Sequence, residues 1–80
     1  MRIDKYLKNS RLIKRRTIAN AACSQGRVKV NEKIAKPGTE VKAGDIVEIR
    51  FGNSISKVEI LSLKEHVKKD DSRQMYKLLS

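Results

Sequence analysis

Residues 14–31 read KRRTIANAACSQGRVKVN, and the hydrophobic period changes inside this stretch. Up to Gln25, the residues Ile18, Ala19, Ala22 and Cys23 recur at i, i+1, i+4 and i+5. That spacing predicts an amphipathic helix over about residues 14–25. Gly26 follows, where a residue tolerant of a left-handed backbone closes a helix. Beyond it Val28 and Val30 alternate with Arg27 and Lys29, the period of a short strand. Advancing 100° per residue puts Arg16, Asn20 and Ser24 on the helix face opposite the apolar stripe, open to a partner. The alanines at 19, 21 and 22 allow close approach of neighbouring elements.

Working outward, Ile3, Tyr6 and Leu7 stand at i, i+3, i+4, so residues 2–9 read as a first short helix. Asp4 lies in its first turn, where an acid suits the helix dipole. Residues 10–13 break the pattern. Downstream, Asn31-Glu32 makes a turn and Ile34 starts a return strand. Pro37-Gly38 punctuates a loop, and Lys42-Ala43-Gly44-Asp45 makes a tight turn. Val47, Ile49 and Phe51 alternate with Glu48 and Arg50, a strand. Gly52-Asn53 turns the chain into a last strand over residues 55–63, with Val58 and Ile60 inward. The expected fold class is α+β: two short helices on a small, mainly antiparallel sheet. The chain divides into a domain over residues 1–63 and a basic linker with a short helical tail over residues 64–80. Asp71 or Ser72 caps that tail helix, and Met75, Leu78 and Leu79 share its face.

Charge is the feature that needs a cause. The chain has 80 residues, with 19 Lys and Arg against 9 Asp and Glu, a net charge of +10. Residues 1–33 hold ten of the bases and only two acids, Asp4 and Glu32; residues 34–80 mix nine bases with seven acids. A surface charged only for solubility intersperses its signs. Concentrating cations on two short helices points to a polyanion.

Other classes fall away. No apolar run approaches the length of a membrane span, and the basic start lacks the apolar segment of a signal peptide. Cys23 and His66 are each the sole residue of their type, so disulfides, zinc clusters and histidine triads cannot be built within the chain. No cofactor is expected. The carboxylates Asp4, Glu32, Asp45, Glu48 and Glu59 are scattered rather than paired, so enzymatic chemistry is not expected. A reduced, cytoplasmic setting fits.

Taken in order, Arg2-Ile3-Asp4-x-x-Leu7, Arg16-x-x-Ala19, Gly26-x-Val28-x-Val30-Asn31, Pro37, Val41 and Gly44-Asp45-x-Val47 resemble the S-four type RNA-binding domain, named after the fourth protein of the small ribosomal subunit. The resemblance covers residues 1 to about 50. The runs Asp4 to Lys8 and Arg11 to Ala19, with Met75-Tyr76-x-Leu78-Leu79 near the end, look most like the free-standing bacterial RqcP and heat-shock-protein-fifteen family. That resemblance implies binding to a large ribosomal subunit that carries nascent-chain-linked tRNA (peptidyl-tRNA). In the RqcP branch it also implies partnership with the machinery that tails stalled chains with alanine. Two positions depart from the family pattern. Glu32 stands where Asn-Gly is common, which speaks against a type I′ turn because both central residues would need positive φ. Arg15 stands where many members have Ser or Thr, so the second helix lacks its usual cap and gains a cation.

The candidate RNA-binding residues are Arg2, Lys5, Lys8, Arg11, Lys14, Arg15, Arg16, Asn20, Arg27 and Lys29, with Lys33 a weaker extension along the strand edge. Arg2 and Arg16 match the family's RNA-contacting positions, and guanidinium forks grip phosphates in bidentate fashion. Asp4 is expected to orient them. Tyr6 and Cys23 read as core residues. With only Tyr6, Phe51 and Tyr76 as aromatics, there is no stacking array for single strands, so shape and backbone carry recognition. The expected agent is a monomeric, non-enzymatic adaptor. Its rivals are a domain of an RNA-modifying enzyme, a helix-turn-helix DNA binder and a general RNA chaperone.

Overall fold

The computed structural model describes residues 1–63 and 75–80. Among the described residues two helices, α1 (Ile3–Asn9) and α2 (Arg16–Ser24), precede five strands: β1 (Val28–Val30), β2 (Lys33–Ile34), β3 (Ile46–Phe51), β4 (Ser54–Ile60) and β5 (Tyr76–Leu78). The strands form one sheet in the order β2-β1-β3-β4-β5, and every pairing is antiparallel. The α+β architecture expected from the change of period is the one observed.

The core lies between the helices and one face of the sheet. Ile3, Tyr6 and Leu7 of α1 are fully buried, as the i, i+3, i+4 spacing requires. They meet Val28, Val47, Ile49, Val58 and Ile60, the inward positions of three strands. Each such side chain contributes roughly 1.5–3 kcal/mol on burial. On α2 the stripe is narrower than expected. Ala19, Ala22 and Cys23 are buried, but Ile18 is 51% exposed. The small residues bring the helix in along one line, and Ile18, one step around, falls outside it.

The end of α2 follows from Gly26. Its φ is +73°, the Gly26 N–H donates to the Cys23 carbonyl and the Arg27 N–H to the Ala22 carbonyl. This is a Schellman closure, and glycine takes the left-handed place without strain. The helix is shorter than the 14–25 reading, with Arg15 at its N-cap and no side-chain capping bond there.

The turn between β1 and β2 corrects the reading of Asn31-Glu32. Val30 pairs with Lys33, and φ is +51° at Asn31 and +70° at Glu32. Both central residues of the two-residue loop are left-handed, as in a type I′ turn, despite the glutamate. Asn31 explains the tolerance. Its Oδ1 accepts from the Ile46 N–H at 2.9 Å, and its Nδ2 donates to Asp45 Oδ1 at 3.2 Å. The turn is therefore tied to the start of β3. Asp45 is itself buried, and its Oδ2 also accepts from the Lys42 N–H across the tight turn.

The tail is the second correction. Tyr76–Leu78 is a strand, not a helix, pairing Val58 with Leu78 and Ile60 with Tyr76. Residues 55–63 therefore do not hold the last strand. Met75 is fully buried, but Leu78 and Leu79 are exposed rather than packed. The sheet's open edge at β4 provides hydrogen-bond partners that a three-turn-or-shorter helix would have to supply alone. The expected caps Asp71 and Ser72, and His66, lie outside the described residues. Phe51, expected to alternate inward, is 44% exposed at the end of β3, paired with Ser54 beside the turn into β4.

Candidate nucleic-acid interface

Asp4 is the centre of the helix layer. Its side chain is only 2% exposed, yet it faces three polar groups. Arg2 Nη2 lies 3.1 Å from Oδ2, Arg16 Nη2 3.7 Å from Oδ1, and Asn20 Nδ2 donates to Oδ2 at 3.4 Å. The Lys5 N–H donates to Oδ1 at 2.8 Å. The Arg2 and Arg16 side chains are each 49% exposed. One buried carboxylate thus holds two guanidinium groups from different elements at the surface. The charges do not cancel: two cations and one anion leave an excess that faces solvent.

Local structure accounts for each position. Arg2 occupies the N-cap of α1 with extended backbone, φ −68° and ψ 145°, which turns its side chain back over the helix start. An antiparallel bridge to Glu40 and a bond from the Ile3 N–H to the Thr39 carbonyl hold that segment. The guanidinium passes over Gly38, where an added Cβ would sit 3.9 Å from Arg2 Nε. Arg16 opens α2, and Asn20 follows one turn later. Arg2, Asp4, Arg16, Thr17 and Asn20 line a single open concavity. Thr17 was not among the sequence candidates. Its place three residues before Asn20 puts it on the same helix face, a signal that the periodicity contains.

The remaining cations divide. Lys8 is exposed and stands one turn beyond Asp4 on α1. Lys5 is partly buried. Lys14 and Arg15 are exposed beside Arg16. Arg11 is exposed in the connection between the helices with φ +62°, a left-handed backbone in a residue other than glycine. It takes the place after the Ser10 C-cap where glycine is the usual occupant. Arg27 and Lys29 do not join this group. They alternate with the buried Val28, so they stand on the sheet face turned away from the helices, beside Glu48 and Arg50. The sequence reading extended one surface along the strand; the structure shows two faces.

The core readings of Tyr6 and Cys23 hold. The Tyr6 hydroxyl is buried and donates to the Met75 carbonyl. Burial, with a smaller contribution from Tyr76, pushes its pKa well above the ordinary 10.0. Burial first, and the Asp4 charge second, push the Cys23 thiol up to about 11. Such a thiol stays protonated and unreactive near neutral pH. Among the described residues, no three His, Cys, Asp or Glu side chains gather in a way that could hold a metal ion. No described helix is long and apolar enough to cross a membrane.

Two helices over an antiparallel sheet, with arginines anchored at the helix layer, define a small α+β domain with a cationic face. The model of the S4 domain family matches residues 1–47. A Streptococcus pneumoniae protein named RQC P-site tRNA stabilizing factor is 51% identical over 80 residues, all of this chain and 91% of the relative. A protein of the same name from Halalkalibacterium halodurans is 53% identical over 78 residues, covering 98% of this chain and 89% of its own. The trimeric structure of Vibrio cholerae heat shock protein 15 superimposes with a TM-score of 0.90 at 26% identity, over 100% of this chain and 82% of that one. The chain belongs to the S4 domain family, in the group of relatives named RQC P-site tRNA stabilizing factor.

Proposed function

We infer that the protein is a non-enzymatic RNA-binding factor of ribosome-associated quality control. It binds the large ribosomal subunit, contacting rRNA and the tRNA that carries a stalled nascent chain. The observation that carries this reading is the Asp4 anchor, which aims two half-exposed guanidinium groups outward from one concavity. The names of the relatives support the ribosomal and tRNA context.

The mechanism is positional. Asp4 fixes Arg2 and Arg16 before RNA arrives, so less side-chain entropy is lost on binding. A phosphate seated over the concavity accepts from the outward N–H groups of both forks, and Asn20 and Thr17 offer further polar contacts. Lys8, Arg11, Lys14 and Arg15 extend the contact along the backbone. Contacts of this kind read the shape of A-form RNA rather than its bases. Engaging rRNA and tRNA at once raises the effective concentration of each and holds the tRNA in one position, which supports alanine tailing of the stalled chain. The protein acts in the cytoplasm, as a single copy, alongside the tailing machinery.

The test is competition. Fluorescence anisotropy of an rRNA hairpin bound to the protein is followed as duplex DNA or structured RNA is added. Displacement by RNA well before DNA is expected; preference for DNA would defeat the reading. If about six phosphates are neutralised, log K falls with log salt at a slope of roughly −4 to −5.

A further inference from the structure

We propose that the outer face of the sheet is a second phosphate-binding surface, separate from the helix face, and that it takes the backbone of a second RNA strand. The proposal rests on the reading of the chain as an RNA-binding factor and deepens it by locating the other contact.

The site is a small concavity lined by Gly26, Arg27, Lys29, Glu48, Arg50 and Ile55. Arg27 and Arg50 are joined through the backbone, the Arg50 N–H donating to the Arg27 carbonyl at 2.9 Å. Their side chains therefore rise from neighbouring positions. The decisive atom is Arg27 Nε, which is buried and has no hydrogen-bond partner. A guanidinium N–H left without an acceptor inside the protein is costly, and a small rotation of the partly exposed Arg27 side chain brings it to an anionic oxygen in the concavity. The charge balance favours such a guest. Glu48 is the one acid lining the concavity, and it is engaged by Lys57 at 3.7 Å. Arg27, Lys29 and Arg50 form no ion pair among the described residues.

The spacing suits a run of backbone phosphates. Arg27 and Lys29 are two residues apart on an extended chain, about 6.6 Å. That is close to the separation of successive phosphates along an RNA strand. Arg50, on the adjacent strand, closes a triangle around one of them. The helix concavity lies on the other side of the core, in a body only 28 × 24 × 22 Å. One copy can thus stand between two RNA backbones.

The experiment uses two short RNA hairpins. One is fixed to beads and loaded with the full chain; the other is fluorescent and offered after washing. Wild type is expected to capture the second hairpin, with sedimentation giving one protein to two hairpins. An Arg27→Gln, Arg50→Gln variant is expected to hold the first hairpin within about twofold of wild type and to capture about tenfold less of the second. Arg27→Lys, Arg50→Lys should recover part of the capture, and circular dichroism checks that each variant folds. Undiminished capture by the glutamine variant, or none by wild type, overturns the proposal. So does a glutamate-rich peptide that binds wild type but not the glutamine variant while RNA capture stays unchanged. An Arg2→Ala, Arg16→Ala variant that still holds the first hairpin as wild type does would instead defeat the helix-face reading.

Discussion

The Tyr6 hydroxyl donates to the Met75 carbonyl oxygen at 2.7 Å, joining the first helix to the strand at the chain's far end. The same carbonyl accepts from the Leu61 and Ser62 N–H groups. One oxygen thus collects three donors and fixes where β5 begins. Tyr6→Phe removes one of them without leaving the carbonyl bare. The expected cost is about 1 kcal/mol, below the penalty for an orphaned buried acceptor. Chemical denaturation of wild type and variant reads it directly.

Alkaline pH should loosen this core. Tyr6 and Cys23 both have pKa values raised in the folded state. Raised values mean that folding favours the protonated forms. Their contribution is complete below the unfolded pKa values and is lost as pH climbs. For Cys23 the window runs from the ordinary 9.0 to about 11; for Tyr6 it opens at about 10 and extends further. Stability measured by denaturation should therefore fall from about pH 9 upward, each group steepening the slope by at most about 1.4 kcal/mol per pH unit. Cys23→Ala should flatten the first part of that fall. An unchanged profile in the variant would show that the thiol is not the cause.

Replacing Asp4 separates an oriented site from a merely basic surface. Asp4→Asn removes one negative charge and so raises the net charge of the chain by one. A general polyanion binder would then bind RNA more tightly. The anchored geometry predicts the reverse, a loss of about five- to tenfold, because Arg2 and Arg16 lose the carboxylate that aims them. Anisotropy at matched salt decides between the two signs.

Two left-handed residues test where function overrides backbone preference. Arg11 and Glu32 each sit at positive φ, where glycine is unstrained. Glycine at either site should stabilise the fold by about 1 kcal/mol. Arg11→Gly should also weaken RNA binding, since it removes a cation beside the helix face. Glu32→Gly should leave binding unchanged or slightly stronger. Equal effects of the two on binding would count against a specific role for Arg11.

These cases also show what was readable in the sequence. The change of period at Gly26 is local, so both helices and the central strands were legible. Arg16 and Asn20 were legible because helical spacing fixes their azimuth, whereas Arg2, at the extended N-cap of α1, was legible only through the family resemblance. The tail was not. Met75, Leu78 and Leu79 satisfy a helical spacing, but the backbone partner that makes Tyr76–Leu78 a strand is β4, distant in sequence. The Asn31-Glu32 turn was misread because the compensating bonds to Asp45 and Ile46 are tertiary. Arg27 and Lys29 were assigned to the wrong surface for a related reason. Charge is visible in a sequence, but which face of a sheet is covered depends on where the helices pack.

The proposed function has the helix face recognise a large subunit still carrying tRNA. Its most direct test is co-sedimentation of the purified protein with large subunits, with and without peptidyl-tRNA, at matched salt. Arg2→Ala, Arg16→Ala runs beside wild type. Tighter binding to tRNA-bearing subunits, lost in the double variant, is expected. Equal binding to both subunits and to unrelated RNA, or binding that survives the double substitution, would contradict it.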